Sequence, residues 1–205
     1  MNILYCGDSN IIDGLIISVL SLAENTKEDL NIYVFTMDYS DEKRQFKALS
    51  SETISKLNVE VKKIRDNINI KLLNITDVAM QNLPIANLST RFTPFCMLRL
   101  YADQIEELPN KILYLDNDVV ALRDPKAFYD LDITDYDLAG VLDNYGSHFF
   151  KRKINYKDYL NSGVLLLNLE NIRKHEVFLM SRNRCRKVVM LMPDQTALNM
   201  YAKKK

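Results

Sequence analysis

The sequence predicts an α/β fold with a mixed, mostly parallel central sheet and helices on its faces. Two observations predict it. Short apolar runs alternate with amphipathic stretches from the first residues onward, the signature of a parallel α/β sheet. Acids also stand where buried strand-like runs end: Asp8, Asp116 with Asp118, Asp143 and Asp194. In open α/β sheets, ligands bind beyond the carboxyl ends of the strands.

The elements follow in order. Ile3-Leu4-Tyr5-Cys6 is a strand that ends in the turn-forming set Gly7-Asp8-Ser9-Asn10. Ile12, Leu15, Ile16, Val19 and Leu22 recur at three- and four-residue intervals, giving a helix with one buried face. Residues 31–36 are β-branched and aromatic, so a second strand. Residues 41–57 read as a charged surface helix, and Val59 to Ile64 as a third strand near an edge. Residues 65–90 show no clean period, and Leu83-Pro84 breaks any helix there. Phe95, Leu98 and Ala102 predict a helix over 92–105. Lys111 to Leu115, Leu138 to Leu142 and Val164 to Leu169 read as buried strands. Glu170 to Val188 reads as a basic amphipathic helix and Asp194 to Ala202 as a short one.

Length and composition bound the rest. At 205 residues the chain is expected to form one domain with a self-supporting core. Lys+Arg and Asp+Glu both number 27, which argues against a nucleic-acid partner held by overall basic charge. Cys6, Cys96 and Cys185 are far apart and form no Cys-x-x-Cys, so they read as reduced thiols of a cytoplasmic protein. No 18-residue apolar stretch and no signal peptide are seen. The sequons at Asn74 and Asn87 then read as chance matches. His148 reads as a surface loop residue and His175 as a solvated helix residue. Arg182, Arg184, Arg186 and Lys187 read as a solvated helix face, with a membrane-surface or acidic-acceptor patch as the sharper alternative. Met190, Leu191 and Met192 read as core or lid packing.

The run Lys111 to Leu115 leads straight into Asp116-Asn117-Asp118. In extended chain, residues two apart point to the same face. Both carboxylates can then reach one hard divalent cation, Mn²⁺ or Mg²⁺, which prefers oxygen ligands. Such a cation bridges diphosphate oxygens and stabilises a departing nucleoside diphosphate. Chance alone supplies about 3 to 4 acid-x-acid triplets in a chain this acidic, so placement after a buried strand carries the weight.

Ile112 to Asp118 resembles the "LYLDxD" segment of family-8 glycosyltransferases, retaining enzymes of the GT-A fold. Four more segments resemble that family in the family's order: Gly7-Asp8-Ser9-Asn10 its uridine-binding start, and Arg99-Leu100-Tyr101-Ala102 its Arg-bearing helix. Tyr159 to Leu169 resembles "YFNAGVLLINL", and Pro193 to Asn199 resembles "DQDxLN". The resemblance implies a GT-A domain over 1–205 that moves glucose or galactose from a UDP-sugar to a saccharide or lipid-linked saccharide. By the same resemblance, Asp116 and Asp118 would hold Mn²⁺ or Mg²⁺, with Asn117 between them at the donor. Asp8 would accept from the uracil edge beside Asn10. Arg99 and Asp143 would contact the donor sugar, Asn161 and Gly163 would line its site, and Asp194 and Gln195 would flank the anomeric carbon.

The chain departs from the family pattern twice. Ile11 stands where the family commonly has an aromatic residue, so base stacking is expected to be weaker or supplied elsewhere. The family's third metal ligand, a His in a C-terminal "HxxGxxKPW" segment, has no counterpart here. The expectation is therefore a domain lacking its C-terminal segment, with peripheral membrane attachment left to that segment. Two rival readings stand beside it. A sugar nucleotidyltransferase would want a Gly-rich loop after the first strand, and Gly7 alone does not provide one. A catalytically silent nucleotide-sugar binding module would keep the donor residues without turnover.

Overall fold

The computed structural model describes residues 1–42, 44–88, 93–146 and 158–205. Its centre is a six-stranded sheet in the order β5-β2-β1-β6-β8-β7. β1 (Asn2–Cys6), β2 (Leu30–Thr36), β5 (Ile68–Asn74) and β6 (Lys111–Leu115) run parallel. β8 (Leu160–Asn168) runs antiparallel to β6, and β7 (Leu138–Leu142) antiparallel to β8. A two-stranded hairpin, β3 (Tyr39–Ser40) with β4 (Gln45–Phe46), stands apart from this sheet.

The central strands β1 and β6 are buried on both faces, as their near-continuous apolar runs require, whereas the edge strand β7, predicted as buried, exposes Val141 and Leu142. Ile3, Tyr5, Leu113 and Leu115 face one core with α1 (Ile12–Asn25) and α2 (Ser51–Ile64). Leu4, Cys6, Ile112 and Tyr114 face the other. That second core is closed by a 3₁₀ helix over Pro94–Gln104 and by α5 (Leu169–Lys174), α6 (Val177–Lys187) and α7 (Pro193–Tyr201). Short helices α3 (Thr76–Met80) and α4 (Lys126–Tyr129) complete the described elements used below. Among the described residues no helix is long and apolar enough to cross a membrane.

Several expectations are corrected. The surface helix predicted over 41–57 begins only at Ser51, and Gln45–Phe46 before it form β4. The predicted strand at Val59 to Ile64 is the second half of α2. Ser50 caps that helix by accepting from the Thr53 amide, and Ile54, Leu57 and Val61 are its buried stripe. Val59 and Ile64 are exposed on the outer face, so the apolar alternation there mimicked a strand. The third strand is β5, inside the stretch without a clear period. Asn58 holds its edge: its amide donates to the Ile70 carbonyl (2.6 Å) and its Oδ1 accepts from the Ile70 amide (2.8 Å).

The predicted helix over 92–105 is a 3₁₀ segment. Its i, i+3 residues Phe95, Leu98 and Tyr101 are buried on one side, and Arg99 is buried too. The single basic helix is two, α5 and α6, parted at Glu176, which adopts a left-handed φ of 53°. No Gly or Pro marks that break. Nor is the basic run wholly solvated: Arg182 is buried, donates to the Leu100 carbonyl and pairs with Asp103 (3.1 Å). His175 is solvated as expected, but it lies at the end of α5, with Nδ1 2.6 Å from the buried Asp137 carboxylate. Cys6 and Cys185 are buried free thiols and Cys96 is half-buried.

Replacing Asn58 by Ala strips both main-chain partners from Ile70. We expect a loss of about 1–2 kcal/mol in the urea unfolding free energy, with Val59→Ala on the exposed face of the same helix nearly neutral.

Candidate active site

The sheet order reverses at β1, with β2 on one side and β6 on the other. A crevice at such a switch point is where α/β sheets bind ligands. Here it is a cavity of about 440 Å³. β1 and β6 run out into it, at Gly7-Asp8 and at Asp116-Asn117-Asp118. β8 runs the other way, so its beginning, Asn161-Ser162-Gly163, lies at the same end, and β7 finishes there at Asp143. The start of α7 supplies Asp194 and Gln195.

The structure thus gathers Asp8, Arg99, Asp116, Asn117 and Asp118 around one cavity with Asp143, Asn161, Gly163, Asp194 and Gln195. Asn10 is outside the lining and exposed, but bonded to Asp8. Its backbone N donates to Asp8 Oδ1 (3.1 Å) and its side-chain amide to Oδ2 (2.8 Å). His148 lies outside the described residues.

Arg99 is the electrostatic centre. Its guanidinium is buried, with Nη2 3.0 Å from Asp116 Oδ1 and 3.4 Å from Asp194 Oδ2. Nε donates to the Cys96 carbonyl (2.9 Å) and Nη1 to the Ser162 carbonyl. The guanidinium carbon lies 3.9 Å from the centroid of the Tyr114 ring, a cation–π contact. Tyr114 in turn donates its hydroxyl to Asp116 Oδ1 (2.6 Å). Burial holds the Tyr114 phenol well above its ordinary range, so it stays a donor at neutral pH.

The carboxylates are held unequally. Asp116 is fixed through Oδ1 and is partly open to solvent. Its Oδ2 faces Gly163, where a Cβ would come within 2.9 Å; glycine keeps that oxygen accessible. Asp118 is exposed, and no partner holds its carboxylate among the described residues. Asp194 is buried beside Ser162 Oγ (3.3 Å). Burial raises its pKa above the ordinary 3.8; Arg99 opposes the rise and Asp116 adds to it. Asp143 accepts the Gly146 amide at Oδ1 (2.7 Å) and the Gln195 side-chain amide at Oδ2 (2.8 Å). The Gln195 Oε1 accepts from the Ser162 amide (3.0 Å), which ties β8 to α7.

Sequence reasoning missed four contributors. Ser162 contacts Arg99, Asp194 and Gln195, and its position between Asn161 and Gly163 was the available signal. Tyr114 was read as a strand residue, although a buried hydroxyl needs a partner. Phe95 and Met192 line the cavity and left no signal beyond ordinary core patterning. Among the described residues no three His, Cys, Asp or Glu side chains form a metal-holding group.

Removing the guanidinium strands two carboxylates. Arg99→Met should cost about 3–5 kcal/mol in chemical denaturation, and adding Asp194→Asn should recover part of that loss. Asp194 also sets a pH signature. A carboxyl whose pKa is raised by folding contributes its stability below the unfolded value near 3.8 and loses it as pH climbs through the folded value. The thermal midpoint of Asp194→Asn relative to the unaltered chain should therefore shift upward between about pH 3 and pH 7.

The comparisons agree with this geometry. The sequence profile described as glycosyl transferase family 8 matches residues 2–205. A putative glycosyltransferase of Haemophilus influenzae is 27% identical over 220 residues, covering 100% of this chain and 60% of the relative. A lipopolysaccharide 1,2-glucosyltransferase of Escherichia coli is 27% identical over 217 residues, covering 99% and 58%. The chain therefore spans about three fifths of the length of these relatives. The crystal structure of galactosyltransferase LgtC with donor and acceptor sugar analogs superimposes with a TM-score of 0.75 at 23% identity, covering 98% of this chain and 71% of that one. The fold is that of GT-A glycosyltransferases, and the chain belongs to glycosyl transferase family 8.

Proposed function

We propose that this chain is the donor-binding and catalytic part of a retaining hexosyltransferase. It would move glucose or galactose from a UDP-sugar to a saccharide or a lipid-linked saccharide. One observation carries the reading. Asp116 and Asp118 leave a β-strand at the switch-point cavity, each with carboxylate oxygen not taken by the protein, beside two further acids, Asp143 and Asp194.

The residues fit a hard divalent cation. Asp116 Oδ2 is open because Gly163 has no Cβ, and Asp118 is unpaired among the described residues. Asp116 and Asp118 would hold Mn²⁺ or Mg²⁺, with diphosphate oxygens completing the shell. Bound there, the cation would neutralise the charge of the leaving UDP.

The chain's own groups do the remaining work. Asp8, whose oxygens are oriented by Asn10, offers an acceptor to the uracil edge. Ile11 and Phe95 supply apolar wall where an aromatic stack is missing. Asp143 is held by Gln195 and the Gly146 amide, so it presents a fixed acceptor to sugar hydroxyls. Asp194 and Gln195 orient the anomeric region, and Asn161 keeps the Gly163 amide engaged (2.8 Å). Arg99 spends its donors on protein groups, so its part is to keep the acid cluster in place and balanced in charge. Fixed dipoles and charges of this kind act without reorganisation during reaction.

Calorimetry with UDP and with UDP-glucose tests the reading. We expect binding that requires Mn²⁺ and weakens at least about 100-fold in the Asp116→Ala, Asp118→Ala double variant; Asp118→Ala alone, which leaves the Arg99 pair intact, should weaken binding with its thermal midpoint retained. Equal binding with and without metal, or by the double variant, would reject the assignment.

A further inference from the structure

Helix α1 carries Gly14, Ser18, Ser21 and Asn25 at spacings of four, three and four, one stripe down a single face. All four are engaged. The Ser18 hydroxyl pairs with the buried Tyr5 hydroxyl on β1 (2.7 Å). Ser21 Oγ accepts from the Ala121 amide (2.9 Å) while donating to the Ser18 carbonyl (2.7 Å). Asn25 donates to the Ala121 carbonyl (3.0 Å) and to the Ser21 carbonyl (2.9 Å). Ala121 belongs to no helix or strand, yet both its main-chain groups are bonded by α1 side chains. At the other end of the stripe, a Cβ on Gly14 would lie 2.6 Å from the main-chain oxygen of Asn117 and 3.4 Å from its carbonyl carbon.

We propose that α1 splints the Asp116-Asn117-Asp118 turn, and that Gly14, Ser21 and Asn25 are positioning residues for its two carboxylates. The proposal rests on the reading that this turn holds a cation and a diphosphate. Glycine inside a helix is unfavourable relative to alanine, so α1 by itself would gain from Ala at 14. The Asn117 carbonyl explains why glycine stands there. The obstructing atom is main chain, not the tip of a flexible side chain, so only a backbone shift could relieve the clash. Asn117 directly precedes Asp118, and a shift of its peptide moves that carboxylate. The turn is otherwise hung from its first residue: the Asp116 amide donates to the Gly163 carbonyl (2.8 Å), and the Val119 amide closes back on the Asp116 carbonyl (3.1 Å). The splint thus fixes the side of the turn that β8 does not reach. Binding groups must be held to within about 0.5 Å of their productive geometry, and a Cβ at Gly14 asks for a displacement of that order.

The test uses Gly14→Ala and Ser21→Ala in the full chain, with residue-resolved amide exchange, thermal midpoints and Mn²⁺-dependent UDP calorimetry. For Gly14→Ala we expect UDP affinity weakened about tenfold or more and faster exchange at Asn117 to Ala121, while α1 amides stay protected. For Ser21→Ala we expect the Ala121 amide to exchange at least about tenfold faster, with a smaller loss of affinity. A Gly14→Ala chain with a raised midpoint, unchanged exchange over Asn117 to Ala121 and unchanged UDP affinity would overturn the proposal. If the unaltered chain fails to bind UDP with Mn²⁺, the transferase reading fails. The exchange comparison, which needs no ligand, then decides the splint alone.

Discussion

A buried guanidinium organises this molecule around its acids. Arg99 lies where water does not reach, and it is tolerated there because every side of the group is met: Asp116, Asp194, two carbonyls and the Tyr114 ring. A buried ion pair is weak evidence for stability, since desolvation offsets much of the attraction. What it fixes is geometry. Arg99 reaches from a 3₁₀ helix to the end of β6, the start of β8 and the first turn of α7, four pieces of chain distant in sequence. Arg182, itself buried, braces the same 3₁₀ segment from α6 through Leu100 and Asp103. Two cations inside the fold thus hold a surface whose exposed carboxylates would otherwise drift apart.

The acids divide into two kinds. Asp194 and Asp143 are each anchored by protein donors, Asp194 through Ser162 and Arg99 and Asp143 through the Gly146 amide and Gln195. Among the described residues, Asp118 and one oxygen of Asp116 are left without such donors, so the negative charge of the cleft is least balanced at that edge. Like charges gathered in a cleft focus field at one spot, and a divalent ion is the simplest group that relieves it.

Much of this was legible in the sequence because buried parallel strands leave an unmistakable trace. Ile3 to Cys6 and Ile112 to Leu115 are apolar throughout, and the acids Asp8 and Asp116 stand just after them. The elements misread were those whose local pattern competed with tertiary packing. Val59 to Ile64 alternates like a strand but is held in α2 by the buried stripe Ile54, Leu57, Val61. β5 hid because three of its seven residues, Asn69, Lys71 and Asn74, are polar and interrupt its apolar run. The break at Glu176 carries neither Gly nor Pro, so propensity gave no warning. Asp8, Asp116, Asp118 and Asp143 were found because they follow strands, whereas Asp194, also expected at a strand end, instead opens α7 after a loop. Ser162 and Tyr114 were not found, because a hydroxyl among apolar neighbours declares a need for a partner without saying which.

The reversal of β8 has a further consequence. Because β7 ends and β8 begins at the same end of the sheet, the connection between them departs from Asp143, which lines the cavity, and returns at the buried Tyr159. The Asp143 amide is bonded to the Tyr159 carbonyl (2.8 Å), so the two stems are pinned together like the base of a hairpin. Length and composition between those stems can change without altering the register of any strand, since loop closure costs grow only slowly with length. An alteration of that connection would leave Asp143 in place, because the Tyr159 carbonyl and the Gln195 side-chain amide hold it from outside the connection.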